Sequence, residues 1–161
     1  MQTLEKLSAQ LGTLLEQKQH IMTTAESCTG GGVASAITDI AGSSAWFDRA
    51  FITYSNEAKM EMLGVSERLL NTVGAVSEPV VIEMVQGALK HSRATLGVSI
   101  SGIAGPGGGS DEKPVGTVCF AWASTNGWHK VETVRFSGDR CQVRQQASYH
   151  ALSEIYQYLS R

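Results

Sequence analysis

The sequence has 161 residues, 42% of them hydrophobic, and a formal net charge of −2 at pH 7. A chain of this length can bury one core but hardly two, so a single domain over 1–161 is expected. The slightly negative charge, without any basic run longer than two residues, argues against nucleic acid or an anionic membrane surface as a partner. No apolar run approaches the roughly 20 residues of a membrane span, and a cytoplasmic protein is expected.

Hydrophobic periodicity predicts helices that alternate with strands along the chain. The predicted elements are a helix within 1–19, a strand over 21–26, a helix from 33 to about 39, a strand over 47–54, helices over 56–63 and 66–72, a helix from 77, a strand over 96–101, strands over 116–124 and 128–136, and a helix capped by Asp139. Asn126-Gly127 between the last two strands is typical of a hairpin turn. This order indicates an α/β fold, a three-layer α/β/α sandwich on a mixed sheet.

The segment Thr24–Gly32 places Ser27 at a predicted strand-to-helix turn, followed by three glycines. The first N–H groups of a helix have no intrahelical partner, so this serine could be a nucleophile beside an oxyanion hole or part of a phosphate cradle. A helix N-cap is an equally good interpretation of its position. Cys28 is a rival nucleophile, although a buried packing role is favoured because no histidine lies nearby in sequence.

Lys59 is the candidate base, one turn into the helix that begins after Tyr54-Ser55. An ordinary lysine has a pKa of about 10.4 and is protonated at neutral pH. It could accept a proton from Ser27 only if burial lowered its pKa by roughly three units. Tyr54 could relay a proton or orient the ammonium group.

Two further features predict an anion site. The segment Ser101–Gly109 holds five glycines in nine residues after a predicted buried strand, and consecutive N–H groups in such loops bind anions. Arg140 opens the last helix, where it could bind a phosphate. The scattered histidines and three cysteines (Cys28, Cys119, Cys141), with no CxxC spacing, predict neither a metal site nor a disulfide.

Five segments in this order resemble the CinA C-terminal domain family over essentially the whole chain. They are Ala25–Gly31, Tyr54–Lys59, Gly74–Ser77, Ser101–Pro106 and Lys113–Val118. Because no nucleotide-binding domain precedes them in this sequence, the resemblance is to the standalone form of the family. It implies a three-layer α/β/α sandwich with a five-stranded mixed sheet, in agreement with the periodicity.

The resemblance also implies an enzyme, a hydrolase that acts on a linear amide C–N bond. The expected substrate is nicotinamide mononucleotide (NMN), converted to nicotinate mononucleotide and ammonia in pyridine nucleotide (NAD) salvage, without a cofactor or metal. The implied catalytic residues are Ser27 and Lys59, with Tyr54 nearby. The remaining substrate-binding predictions are Cys28, Thr29, Gly30 and Gly31 beside the oxyanion, and Gly105, Gly107, Gly108 and Arg140 beside the phosphate.

Three interpretations remain open at this point. Besides the NMN deamidase, the same glycine loops could belong to a non-catalytic nucleotide-binding module in which Ser27 only caps a helix. A third interpretation is an amidohydrolase that acts on another small carboxamide with Cys28 as the nucleophile. Three tryptophans leave room for an apolar interface in a homo-oligomer. The sequence does not rank NMN against its riboside or the dinucleotide.

Overall fold

The computed structural model describes residues 2–161. Its helices are α1 (Leu4–Gln17), α2 (Gly32–Thr38), α3 (Asn56–Leu63), α4 (Glu67–Val73), α5 (Glu78–Lys90) and α6 (Arg140–Leu159), with a short 3-10 turn at Ser43–Ala45. The strands are β1 (Met22–Glu26), β2 (Phe47–Ile52), β3 (Leu96–Gly102), β4 (Thr117–Ser124) and β5 (His129–Arg135). All eleven predicted helices and strands are present, with ends that differ by at most three residues from the prediction.

The five strands form one mixed sheet in the order β2-β1-β3-β4-β5. The first three strands are parallel, whereas β4 pairs antiparallel with β3 and, through the predicted hairpin, with β5. Because β1 lies between β2 and β3, all five of its residues are buried. The carboxyl ends of three parallel strands therefore meet at one edge of the sheet, where ligand sites of open α/β sheets usually lie.

Helices cover both faces of this sheet and complete the expected three layers. On one face, α6 packs on large side chains of β4 such as Phe120 and Trp122, and α1 and α2 pack against α6. On the other face, α5 packs on the alternate residues of β4, Cys119, Ala121 and Ala123, and α3 and α4 pack against α5. This alternation of large and small side chains follows the two-residue period of a strand. Among residues 2–161, no helix has the length and apolar character needed to cross a membrane.

The short helix α3 begins and ends as its sequence predicts. The hydroxyl of Ser55 accepts a hydrogen bond from the Ala58 N–H, which caps the first turn. Gly64 ends the helix with φ of 73°, a left-handed conformation that glycine adopts without strain. The preceding strand, β2, is shorter than predicted and ends at Ile52. The N–H of Thr53 still donates to Glu26 in β1, whereas the carbonyl groups of Thr53 and Tyr54 point at the side chain of Lys59.

Candidate active site

A cavity of about 310 Å³ lies at the carboxyl edge of the three parallel strands. It receives residues from the loops after β1, β2 and β3, from α3 and from the start of α6. The lining residues are Ser27, Cys28, Tyr54, Asn56, Lys59, Ala75, Val76, Ser101, Gly102, Ile103, Ala104, Gly105, Gly107, Gly108 and Arg140. Eight of the predicted site residues thus share one pocket, although they are spread over more than 100 positions of the chain.

Ser27 directly follows β1, and its N–H still donates to the carbonyl of Ile100 in β3 at 3.0 Å. The side chain is buried at 8% exposure, and its Oγ lies 3.0 Å from Nζ of Lys59. Ser27 is not the cap of α2, because the N-cap is Gly31 and no side chain of the cap residue bonds to the helix. The structure therefore removes the capping interpretation and leaves a serine hydroxyl against an amine.

Lys59 is an almost fully buried lysine, with 1% exposure. Its Nζ donates to the carbonyl of Thr53 at 2.9 Å and contacts that of Tyr54 at 3.4 Å, in addition to Ser27 Oγ. Among the described residues it forms no salt bridge. Burial without a carboxylate partner disfavours the ammonium form, so desolvation lowers the pKa of Lys59. As a neutral amine, it can keep both carbonyls as acceptors and take a hydrogen bond from the serine O–H.

Burial makes the neighbouring thiol of Cys28 less reactive, whereas it favours the neutral, proton-accepting form of the Lys59 amine. Cys28 is buried in the cluster beneath α2 and α6. Burial raises the pKa of its thiol to about 11, so the reactive thiolate is scarce at neutral pH. This disfavours the interpretation that makes Cys28 the nucleophile.

Tyr54 and Arg140 meet at the rim of the pocket. The Tyr54 side chain is 62% exposed, and its hydroxyl accepts a hydrogen bond from Nη2 of Arg140 at 3.1 Å. Arg140 also donates from Nη1 to the carbonyl of Gly105 at 2.9 Å. The main-chain carbonyl of Tyr54, rather than its hydroxyl, thus contacts the Lys59 amine, while the hydroxyl joins the loop after β2 to α6.

The glycine loop forms the opposite wall. Gly105 and Gly108 adopt φ of 87° and 89°, which side chains rarely tolerate. A Cβ on Gly105 would lie 2.5 Å from Cγ1 of Val115, whereas a Cβ on Gly107 would meet open space. Gly105 is therefore required by the conformation of the loop, whereas Gly107 leaves room in the pocket.

Thr29, Gly30 and Gly31 lie outside the lining of the pocket. The Thr29 hydroxyl instead donates to the carboxylate of Glu26 at 2.7 Å. Gly30 and Gly31 take φ of 57° and 99° in the turn that leads into α2. In this structure these three residues shape the loop after Ser27, and their contact with substrate stays a prediction.

Two residues that sequence reasoning missed hold this loop. Glu26 is fully buried, and its carboxylate accepts hydrogen bonds from the hydroxyls of Thr24 and Thr29 and from the N–H groups of Val33 and Ala34. The carboxylate thereby caps α2 in place of an N-cap side chain. The sequence signal for this role was a glutamate at the end of an otherwise uncharged buried strand.

Arg144 is the second missed residue. Its Nε donates to the carbonyl of Cys28 at 3.0 Å, and its Nη2 donates to that of Thr29 at 3.3 Å. In the sequence it lies one helical turn after Arg140, so both side chains leave the same face of α6. That spacing was the available signal for a second basic contact.

A group of side chains that could ligate a metal lies elsewhere, between β5 and α6. The ligand atoms of Glu132, His150 and Glu154 lie within 4.8 Å of one another. Lys130 donates to Glu154 at 2.6 Å, so a cation already pairs with that carboxylate, while Glu132 bonds to His150. None of the four residues lines the pocket around Ser27.

A larger cavity, of about 520 Å³, lies between the start of α1, Phe136 and α6. Its lining includes His150 and Ser153, but no hydrogen bond joins these two side chains in the described part of the chain, and His150 bonds to Glu132 instead. None of the described residues that line this cavity is an activated nucleophile, so the smaller pocket around Ser27 is the candidate active site.

The fold and the site together define a class of protein: an α/β/α sandwich with a serine hydroxyl against a buried lysine at the carboxyl edge of its parallel strands. The family model of the CinA C-terminal domain matches residues 4–159. The chain belongs to the CinA C-terminal domain family.

Curated relatives and solved structures agree with this assignment. The chain is 60% identical over 154 residues to the nicotinamide-nucleotide amidohydrolase PncC of Escherichia coli strain K12, and the aligned region covers 96% of this chain and 93% of that protein. It is 48% identical to the PncC protein of Pseudomonas putida over 98% of both chains. The crystal structure of the competence/damage-inducible protein CihA from Agrobacterium tumefaciens superposes with a TM-score of 0.95 at 43% identity, over the full length of both chains.

Proposed function

We propose that this chain is a nicotinamide-nucleotide amidohydrolase, which hydrolyses the carboxamide of NMN to nicotinate mononucleotide and ammonia in pyridine nucleotide salvage. The observation that carries the proposal is the 3.0 Å contact between Lys59 Nζ and Ser27 Oγ in a pocket that both residues line. It is supported by 60% identity to a protein of that name. A cytoplasmic location, where such a nucleotide would be met, is part of the proposal.

In the first step, the neutral amine of Lys59 accepts the proton of Ser27 while Oγ attacks the carboxamide carbon. The carbonyls of Thr53 and Tyr54 then hold the resulting ammonium in place. Lys59 returns the proton to the amide nitrogen, the C–N bond breaks, and ammonia leaves an acyl-Ser27 ester. Water hydrolyses this ester with Lys59 acting again as the base.

The developing oxyanion needs N–H donors near Ser27. The N–H of Cys28 is the nearest candidate in sequence, since among residues 2–161 it donates to no backbone carbonyl. A backbone donor immediately after the nucleophile is the usual arrangement at strand-to-helix turns. The pyridinium charge of NMN draws electrons from the carboxamide, so a lysine base suffices for the attack.

The two walls of the pocket suit the two ends of a mononucleotide. Ala75, Val76, Ile103 and Ala104 offer small apolar surfaces to the pyridine ring. Arg140 uses two of its five N–H donors on Gly105 and Tyr54 and has others free for a phosphate. The substrate would then lie with its carboxamide at Ser27 and its phosphate at the rim.

The test is ammonia release from NMN in the presence of EDTA by the wild type, Ser27→Ala and Cys28→Ala. We expect the wild type and Cys28→Ala to release ammonia and Ser27→Ala to be inactive while still binding NMN. Loss of activity in Cys28→Ala alone would indicate a thiol nucleophile. Binding of NMN without any hydrolysis by the wild type would contradict the proposal and favour a nucleotide-binding module.

A further inference from the structure

Arg144 contacts the loop after Ser27 from outside the pocket. The residue is half-buried on α6 and lies 115 and 116 positions from the two residues whose carbonyls it binds, Thr29 and Cys28. Its Nη2 also packs on Gly30, where an added Cβ would lie 3.3 Å away. A planar guanidinium thus covers three consecutive residues of the loop.

The rest of the loop is held by short-range bonds that do not use the carbonyl of Cys28. The N–H of Gly30 donates to Ser27 at 3.0 Å, and that of Gly32 donates to Thr29 at 2.9 Å. In the described part of the chain, the carbonyl of Cys28 accepts a hydrogen bond from Arg144 alone. The orientation of the peptide unit between Cys28 and Thr29 therefore depends on this one side chain.

That orientation matters for the N–H groups next to the nucleophile. In a trans peptide, the C=O and N–H point in opposite directions, so fixing the Cys28 carbonyl also fixes the N–H of Thr29. The N–H closest to Ser27, that of Cys28, lies in the preceding peptide unit, whose carbonyl accepts from the Gly30 N–H. The turn and Arg144 together therefore fix the first two N–H groups after the nucleophile. Donors that are already aimed at the developing charge stabilise a transition state without reorganisation.

We propose that Arg144 is a positioning residue for the hydrolytic reaction, which keeps the N–H groups after Ser27 aimed at the oxyanion. This inference rests on the proposed function, because it requires that an oxyanion forms at Ser27. Arg144 does not line the pocket, so its removal affects the transition state more than substrate binding. Lysine does not replace it, since a single ammonium cannot hold two adjacent carbonyls with the geometry of a planar fork.

The test compares Arg144→Ala and Arg144→Lys with Arg68→Ala, which removes an exposed arginine of α4 far from the loop. Steady-state kinetics with NMN and thermal unfolding are measured for each variant. We expect kcat of both Arg144 variants to fall about ten- to a hundredfold, with little change in KM. This decrease is somewhat smaller than the one caused by removing an oxyanion donor itself. Added guanidinium ion at millimolar concentration should restore part of the kcat of Arg144→Ala and none of that of Ser27→Ala.

The outcomes separate this inference from the proposed function. Unchanged kcat in folded Arg144→Ala, or a loss confined to KM, overturns the positioning role alone. Full activity of Arg144→Lys also overturns the positioning role. So does a loss of kcat in Arg144→Ala that guanidinium does not restore and that comes with a lower melting temperature, because it indicates a purely structural contact. Absence of NMN hydrolysis by the wild type overturns the proposed function, and this inference with it.

Discussion

The amine of Lys59 is enclosed by two backbone carbonyls and the Ser27 hydroxyl, with no salt bridge among the described residues. Proteins rarely bury a lysine in this way, because the desolvation of an ammonium group costs stability. The same desolvation lowers the pKa of Lys59 and makes a neutral amine available. At this residue, catalysis and stability make opposite demands.

We expect kcat/KM to rise with pH as Lys59 loses its proton and to level off below the ordinary lysine range. Rates measured above pH 7 avoid the second ionisation of the substrate phosphate, near 6 for phosphate monoesters. Lys59→Met should be inactive at every pH, whereas Lys18→Met, which removes an exposed lysine, should reproduce the wild-type profile. Activity of Lys59→Met at neutral pH would contradict the assignment of the base.

The stability of the fold should depend on pH through the same group. Because the pKa of Lys59 is lowered in the folded state, the unfolded chain binds an extra proton between that pKa and about 10.4. The free energy of unfolding therefore rises with pH across this window. Urea unfolding at pH 7 and pH 9 should show the wild type gaining stability relative to Lys59→Met, and an equal change in both proteins would contradict the buried-amine explanation.

At the scale of elements, the loop after β3 depends on the left-handed conformation of Gly105. The φ of 87° and the 2.5 Å approach of a Cβ to Val115 both oppose a side chain there. Gly107 in the same loop has open space around its Cα and no left-handed φ.

Gly105→Ala should lower the free energy of unfolding by about 1–3 kcal/mol through backbone strain and overpacking. It should also raise KM, since the Gly105 carbonyl holds Arg140 at the rim. Gly107→Ala is the matched control for stability, and we expect it to unfold at the wild-type urea concentration. Equal stability of the two variants would show that the loop adapts to a side chain at Gly105.

The loop after β1 shows how short-range chemistry and long-range contacts combine in one element. Ser27 leaves the strand toward a turn with three glycines, as the sequence predicts. Its exact form also requires Glu26, which caps α2 from inside, and Arg144, which binds two carbonyls from the opposite side. Local patterns single out these two residues but do not assign their partners, because the partners depend on which helix packs beside the loop.

At the scale of the whole molecule, the position of Lys59 depends on how α3 docks on α5. The contact is closest at Gly87, where a Cβ would lie 2.0 Å from the carbonyl oxygen of Leu63 at the end of α3. Only a glycine in α5 allows the backbone of α3 to approach this closely.

Gly87→Ala should push α3 away from α5 and lower the free energy of unfolding by about 1–3 kcal/mol. It should also lower kcat, because α3 carries Lys59 into the pocket. The control is Gln86→Ala, an exposed position of the same helix, which should leave both quantities unchanged. The free energy of unfolding is measured by chemical denaturation and kcat by ammonia release. A destabilised Gly87→Ala variant with unaltered kcat would show that Lys59 is positioned independently of this contact.

The sequence alone determined the elements and their order, because helix and strand periods, caps such as Ser55 and the Asn126-Gly127 turn are short-range features. It also indicated the three-layer sandwich and brought Ser27 and Lys59 forward as a pair. The predictions of the elements and of the three layers succeed because local propensity and the wider fold favour the same answer there.

Only the tertiary structure decided the chemistry of the pocket. It buried Lys59 at 1% exposure, turned the Tyr54 carbonyl rather than its hydroxyl toward the amine, and removed Ser27 from the capping role. It also brought Arg144 onto the nucleophile loop. The physical reason is that pKa values and hydrogen-bond partners depend on the atoms within a few ångströms, and here those atoms come from residues up to 116 positions apart.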